Sequence, residues 1–189
     1  MAAIMLQPST AVKFTYEDFL HLPDDGKRYE IIDGELYMSP APNTTHQRCV
    51  GKLHRRLGDF VEINKLGEVF VAPYDVVFSE INIVEADILF VSSERLRIIM
   101  EANARGAPDL IIEVISPSTE KRDRNIKLKM YAKFGVRECW LVDPVSKTVE
   151  IYRLDKKNFK LAAKLTVSEV LTTPLLPIFT ISVQDVFQK

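Results

Sequence analysis

Short apolar runs, separated by turn-forming residues, dominate the hydrophobic pattern of this chain. The run from Leu110 to Ile115 is rich in β-branched residues, opens after Gly106 and Pro108, and closes before Pro117. A continuous run of this length is typical of a strand that is buried on both faces of a sheet. We therefore take this strand as the centre of the fold.

Other stretches add strands around this centre. Residues 83–91 and 138–142 are apolar runs of the same kind, and residues 28–38 form a predicted hairpin around Asp33-Gly34. A second hairpin is predicted over residues 149–165. These runs supply a sheet.

Helical signals lie between the predicted strands. The helices, with their predicted N-caps, are 15–22 (Thr15), 46–64 (Thr44 or Thr45) and a segment that ends at 134 (Ser118 or Thr119). Gly135 follows the last of them and stops it. The order of helices and strands predicts a mixed α/β sheet with helices on both faces.

Two of the apolar runs contain one acidic residue in their interior. Glu113 lies in the central strand and Asp87 in the run 83–91. A buried carboxylate costs several kcal/mol unless it is paired, and adjacent strands lie only about 4.8 Å apart. If the strands are neighbours, the two acids suit Mg²⁺ or Mn²⁺, which prefer oxygen ligands. The alternative is that one acid pairs with a buried arginine or caps a loop.

The helix after the central strand carries a lysine on its apolar face. At about 100° per residue, Ile126, Met130 and Phe134 define the apolar arc, and Lys127 falls within it. A lysine aimed at a sheet either pairs with a carboxylate or stabilises an anion. We therefore expect its ammonium group on the order of 4–6 Å from the two acids. The alternative is an i,i+4 pair with Asp123 alone.

Three other polar residues are weaker candidates. Glu30, on the first hairpin strand, is placed to join the two acids, and His46, at a helix start, would contact a phosphate or serve the cap. Asp109 is a rival of Asp87, but four residues along a strand span about 13 Å, too far for it to share one ion with Glu113. We therefore interpret Asp109 as a residue of the strand's start.

Composition and charge narrow the class of protein. The 189 residues suit one domain, with 47% hydrophobic residues and a net charge of −1. Basic residues cluster in 46–58 and 120–133, which suits either a phosphate-binding face or a solvated helix surface. No membrane span, secretory signal, glycine-rich phosphate loop or metal-type cysteine spacing is found in the sequence. We expect a reduced cytoplasmic protein without a nucleotide cofactor.

Six sequence motifs occur in a fixed order. They are Arg-Tyr-Glu-Ile-Ile-Asp-Gly-Glu-Leu (28–36), Ser-Pro-Ala-Pro…His (39–46), Glu-Ala-Asp-Ile-Leu-Phe-Val (85–91), the central stretch (106–119), Asp-Arg-Asn-Ile-Lys-Leu-Lys-Met-Tyr (123–131) and Gly-Val-Arg-Glu-Cys-Trp-Leu-Val-Asp-Pro (135–144). Together they resemble the Uma-two family of bacterial proteins, which are described as putative restriction endonucleases and belong to the PD-(D/E)XK nuclease superfamily. The resemblance extends from about residue 14 to 155.

The resemblance implies a restriction-endonuclease-like mixed sheet flanked by helices and Mg²⁺- or Mn²⁺-dependent hydrolysis of DNA phosphodiester bonds. Asp87 and Glu113 would be the metal ligands. Ile115 stands where the superfamily lysine is expected, and its backbone carbonyl is a further candidate ligand. In this family the lysine is moved to the following helix, which maps onto Lys127. Glu30 completes the expected catalytic set.

The remaining expectations concern DNA, domains and assembly. His46, Arg48, Lys52 and Tyr131 are weaker candidates for contacts with DNA. We predict one nuclease domain over 1–189, with an N-terminal helix-hairpin extension (1–45), a catalytic core (46–145) and a C-terminal hairpin and tail (146–189). A homodimer is expected, and the apolar segment 171–186 would form its interface or complete the monomer's core. The rival interpretation is a catalytically inactive module that binds nucleic acid or protein.

Overall fold

The computed structural model describes residues 12–188, which form two large sheets, a separate two-stranded sheet and surrounding helices. The α-helices are α1 (Tyr16–Leu20), α2 (Thr44–Ile63), α3 (Glu120–Arg122), α4 (Leu128–Phe134) and α5 (Val183–Phe187). A 3₁₀ helix spans Ser93–Ile98, and a π-helical turn, Asp123–Lys127, joins α3 to α4. The strands are β1 (Arg28–Ile32), β2 (Glu35–Ser39), β3 (Gly67–Val71), β4 (Val76–Ser79), β5 (Asn82–Val84), β6 (Ile88–Ser92), β7 (Ala104–Arg105), β8 (Leu110–Val114), β9 (Glu138–Asp143), β10 (Thr148–Asp155), β11 (Asn158–Leu165), β12 (Val170–Thr173) and β13 (Leu176–Ser182).

The larger sheet has the strand order β11-β10-β9-β8-β6-β3. Its strand β8 is buried at every position and lies antiparallel to β6 and parallel to β9. On one face Ile112 packs in a cluster with Leu53 of α2, and on the other face Ile111 packs in a cluster with Tyr131 of α4. Because helices cover both faces of the sheet, β8 is apolar at successive positions and not only at every second one.

The second sheet has the order β2-β1-β5-β4-β7 and contains the predicted N-terminal hairpin. Asp33 and Gly34 form its turn with φ angles of 51° and 85°, which a two-residue hairpin of this type needs. Ile31 of β1 pairs with Ile83 of β5. The hairpin is therefore joined to the rest of the chain through β5, and it brings Glu30 towards the centre of the molecule.

The prediction of one strand over 83–91 is wrong. β5 ends at Val84, β6 begins at Ile88, and the two strands belong to different sheets. Ile83, before the break, packs with Ile31, whereas Leu89, after it, packs on the α4 face of the larger sheet in a cluster that Val84 also joins. Because β5 and β6 are both buried, both are apolar in sequence, and the hydrophobic pattern does not show where one ends and the other begins. Asp87 lies in this break, directly before β6.

The helices follow their predicted positions, and one predicted cap differs. Thr15 caps α1 as predicted and forms a capping box with Asp18. The N-cap of α2 is Asn43 and not Thr44 or Thr45, because its side-chain oxygen accepts from the His46 amide. Gly135, at φ 88°, ends α4 as predicted. None of the helices within residues 12–188 is both long and apolar enough to cross a membrane.

The C-terminal segment completes the core of its own chain. Strands β12 and β13 pair with each other, and α5 contacts α2. Buried residues of this segment join the cluster beneath α2, and they are Leu171, Leu176, Phe179, Ile181, Val183 and Val186. Of the two expected uses of the apolar segment 171–186, the structure therefore shows the internal one.

Candidate active site

Asp87 and Glu113 lie at the junction of β6 and β8. Ile88 is opposite Ile112 in the antiparallel pair, so one further step in this register brings Asp87 opposite Glu113. Opposite residues of an antiparallel pair point to the same face of the sheet. Both side chains line one pocket of about 260 Å³, and the two residues are 4% and 3% exposed. The two strands are neighbours, as the sequence required for a shared site.

Lys127 reaches into this pocket from the π-helical turn. Its Nζ lies 2.8 Å from Glu113 Oε1, 2.7 Å from Glu30 Oε1 and 3.8 Å from Asp123 Oδ1. The residue is only 3% exposed. These contacts place the ammonium group inward, as predicted, and nearer to Glu113 than expected. They exclude a pair with Asp123 alone, and they bring Glu30 from the N-terminal hairpin into the same cluster.

Burial raises the pKa of Glu113 to about 8, even though the charge of Lys127 opposes the shift. Burial also works against the charged form of Lys127, but the surrounding carboxylates outweigh it, and the pKa of Lys127 is raised. The two directions agree physically, because one ammonium group faces three carboxyl groups and the surplus acid retains a proton. The Tyr131 hydroxyl donates to Glu113 Oε1 at 2.5 Å and holds the carboxyl group in place.

Asp87 is held by donors from three elements. Arg28 Nη1 of β1 donates to Oδ1 at 2.9 Å, while His46 Nε2 of α2 and the Val114 amide of β8 donate to Oδ2 at 3.1 Å and 2.8 Å. Burial disfavours the charged form, but the contacts with His46, Arg28 and Val114 outweigh it and lower the pKa of Asp87. Asp87 is therefore a carboxylate at neutral pH.

Sequence reasoning missed three charged residues that line the pocket, which are Arg28, Glu85 and Arg122. Arg28 also forms an ion pair with Glu85, and Arg122 lies 3.3 Å from Glu30 Oε2 and donates to Ser39 Oγ at 2.6 Å. A signal for Arg28 was present, because residues i and i+2 of a strand share a face and Arg28 stands two positions before Glu30. Nothing in the sequence pattern pointed to Arg122, whose contact with β1 crosses between distant elements.

The four residues predicted to contact DNA differ in exposure and in their partners. His46 is buried at Asp87, Arg48 is exposed on α2, and the Lys52 ammonium group donates to the Gln188 carbonyl. Tyr131 is 0% exposed, so its expected contact with DNA is wrong, and the side chain supports Glu113 instead. At about 100° per residue, Tyr131 lies at the edge of the apolar arc that Ile126, Met130 and Phe134 define, so the sequence does not decide which way it points.

The candidate metal ligands form a pair and not a larger cluster. Within residues 12–188, no group of three or more His, Cys, Asp or Glu side chains is arranged to hold a metal ion. Val114 lines the pocket, whereas the Ile115 side chain packs in the core. A carbonyl ligand from Ile115 stays a prediction.

Residues 16–184 match the Uma2 family, which is described as putative restriction endonuclease. The chain belongs to this family. The match spans the elements that carry Glu30, Asp87, Glu113 and Lys127. No curated protein matches the chain.

One solved structure with a similar fold is a putative nuclease from Anabaena variabilis. Its TM-score is 0.77, the similarity covers 92% of this chain and 97% of that one, and the sequences are 21% identical. At this identity the similarity bears on the fold alone. It confirms the predicted class for this Uma2 chain, a mixed α/β architecture with helices flanking the sheets.

Proposed function

We propose that this chain is a nuclease that hydrolyses DNA phosphodiester bonds with Mg²⁺ or Mn²⁺. The observation that carries the proposal is the meeting of Asp87, Glu113 and Lys127 in one buried pocket, with Lys127 Nζ 2.8 Å from Glu113. Membership of a family described as putative restriction endonuclease supports the reaction class. The fold alone would not, because one fold serves many functions.

The donors of the pocket fit one divalent cation. Among the residues that the structure describes, its lining holds five acidic side chains against three Lys or Arg side chains, so acids remain in excess; these are Glu30, Glu85, Asp87, Glu113 and Asp123, and Arg28, Arg122 and Lys127. Within residues 12–188, the polar contacts of the Glu113 carboxyl group, from Lys127 and Tyr131, are both at Oε1, so Oε2 is left for a ligand. Two carboxylates plus water suit Mg²⁺, which keeps several of its waters.

Asp87 and Glu113 would hold the ion, with the Ile115 carbonyl as a proposed third ligand. When bound, the ion supplies a Lewis acid for the scissile phosphate and an activated water. Lys127, held between Glu30 and Glu113, would orient that water or stabilise the charge that develops on the phosphate. The role of Glu30 is to fix the Lys127 ammonium group, and that of Tyr131 is to fix Glu113.

Cleavage of supercoiled plasmid DNA in the presence of Mg²⁺ or Mn²⁺ tests this proposal. We expect nicked or linear product that chelator abolishes and that added metal restores. Glu113→Gln is the matched inactive control, because it removes a charged ligand at nearly constant volume. DNA binding without turnover by the wild-type chain would favour the alternative, an inactive binding module.

The outer contacts and the assembly are also proposals. The His46 side chain is buried and hydrogen-bonded to Asp87. Exposed Arg48 is therefore the better candidate on α2 for a contact with the DNA backbone. The homodimer no longer has support from the apolar segment 171–186, which is buried in its own chain. Light scattering at micromolar concentration gives the mass directly, and a monomer mass would remove the dimer.

A further inference from the structure

His46 is a buried imidazole whose position is set from both ends. Its backbone amide donates to the Asn43 side chain at 3.0 Å, which fixes the first turn of α2. Its Nε2 lies 3.1 Å from Asp87 Oδ2, and the residue is 7% exposed. The neighbouring Gln47 and Arg48 are exposed. The ring is therefore aimed at Asp87 by the start of the helix.

Hydrogen bonding within the described part of the chain does not explain why a histidine occupies this buried position. Its other nitrogen, Nδ1, is fully covered and has no hydrogen-bond partner in the described part of the chain. An unpaired buried polar atom is unfavourable, and an apolar side chain of similar size would avoid it. Asp87 Oδ2 already accepts from the Val114 amide, so it would remain bonded without the ring.

What the ring adds is control over the orientation of the Asp87 carboxylate. Arg28 contacts Oδ1, but its guanidinium group is shared with Glu85. The Val114 amide contacts only Oδ2. A second donor on Oδ2, from a different element, limits rotation of the carboxylate about its terminal bond. Donors that fix a ligating carboxylate commonly affect metal affinity as strongly as some ligands do.

We propose that His46 is a positioning residue that holds Asp87 in the orientation that binds a divalent cation. This inference rests on the proposed metal-dependent function. The imidazole donates through Nε2–H, because the carboxylate of Asp87 can only accept, and the ring itself is neither a metal ligand nor a contact of the substrate.

Mn²⁺ binding to the full chain, measured by calorimetry and electron paramagnetic resonance without DNA, tests the inference. His46→Leu should weaken Mn²⁺ binding about 10–100-fold. His46→Gln should recover most of the affinity, because its amide nitrogen occupies nearly the place of Nε2. His54→Leu is the matched control, a half-buried histidine on α2 outside the pocket, and should bind like the wild type.

The outcomes separate this inference from the proposed function. A wild-type chain that does not bind Mn²⁺ contradicts the metal-dependent nuclease itself. If the wild type binds and His46→Leu binds equally well, or if His46→Gln is as weak as His46→Leu, the positioning role is wrong. Should His46→Leu fail to fold, His46→Asn replaces it, because the shorter amide reaches the place of Nδ1 and not that of Nε2.

A second measurement does not depend on any variant. Nitrogen-proton correlation spectra of the imidazole rings report which nitrogen carries the hydrogen. We expect the Nε2–H form for His46, and an Nδ1–H form in the metal-free chain would overturn the inference.

Discussion

Asp109 and Glu113 are two buried carboxylates at opposite ends of one strand, and their partners differ. Asp109, directly before β8, is 0% exposed. Its Oδ2 accepts from the Ser92 amide at 2.8 Å, and Arg95 and Arg137 each lie 3.0 Å from Oδ1. Both oxygens are satisfied by donors, and the side chain does not line the candidate pocket.

Glu113, at the other end, is only partly satisfied. Lys127 and Tyr131 both contact Oε1, and within residues 12–188 no hydrogen bond reaches Oε2. The side chain lines the pocket, and burial raises its pKa to about 8. A buried carboxylate with donors on both oxygens holds the fold together, whereas one with a free oxygen in a pocket is available to a ligand.

Substitution of Glu113 should have the largest effect on function. Glu113→Gln removes the charge that a cation needs, so we expect loss of Mn²⁺ binding and a fall in plasmid cleavage on the order of 10³-fold. The melting temperature should change little, because glutamine resembles the protonated form that burial favours. If this variant kept wild-type Mn²⁺ affinity, Glu113 would not be a metal ligand, and it would no longer differ from Asp109 in function.

Lys127 should affect turnover without affecting the metal. Lys127→Met keeps the unbranched apolar stem of the side chain and removes the ammonium group, so we expect cleavage to fall on the order of 10²–10³-fold with Mn²⁺ affinity largely kept. Lys129→Met is the matched control, because Lys129 is exposed on the same helical segment. Wild-type cleavage by the Lys127 variant would instead favour a binding module.

Asp109 should show the opposite behaviour. Asp109→Asn leaves two arginines without their buried charge partner, so we expect a loss of about 2–3 kcal/mol in the free energy of unfolding, less than for a fully buried pair because Arg137 is half exposed. Thermal unfolding followed by circular dichroism measures it, and Mn²⁺ affinity serves as the control and should stay unchanged. A metal effect without a stability effect would reverse the two assignments.

The smallest effect is a pH dependence of metal binding. At pH 7 Glu113 holds its proton, because its pKa is raised to about 8, whereas Asp87, whose pKa is lowered, is ionised. Binding of Mn²⁺ should therefore release up to about one proton at pH 7, and affinity should rise with pH towards 8 and then level off. Calorimetry in two buffers of different ionisation enthalpy measures the release, and no release at pH 7 would show that Glu113 is already ionised.

Local patterns were sufficient to predict most of the elements. The apolar run of β8, the Asp33-Gly34 turn and the glycine at the end of α4 each follow from short-range chemistry, and all are present. The break between β5 and β6 was not predictable from the pattern, because a chain that passes from one buried strand to another is apolar on both sides of the join.

The sequence by itself determined which side chains needed partners. Glu113 and Asp87 stand in apolar surroundings, and Lys127 lies on the apolar face of its helix, so the physical cost of burying charge marked them without any coordinates. The direction predicted for Lys127 assumed a regular α-helix. It is correct even though the residue lies in a π-helical turn, because Lys127 still faces the sheet.

Only the tertiary structure decided which partners they found. Lys127 meets Glu30, and Asp87 meets His46 and Arg28, across separations of 41 residues or more. Such contacts depend on how two sheets and two helices are set against one another, and no local pattern encodes that relation. Among residues 12–188, the tertiary structure also satisfied both oxygens of Asp109 and left one oxygen of Glu113 without a donor, which makes one acid structural and the other a candidate ligand.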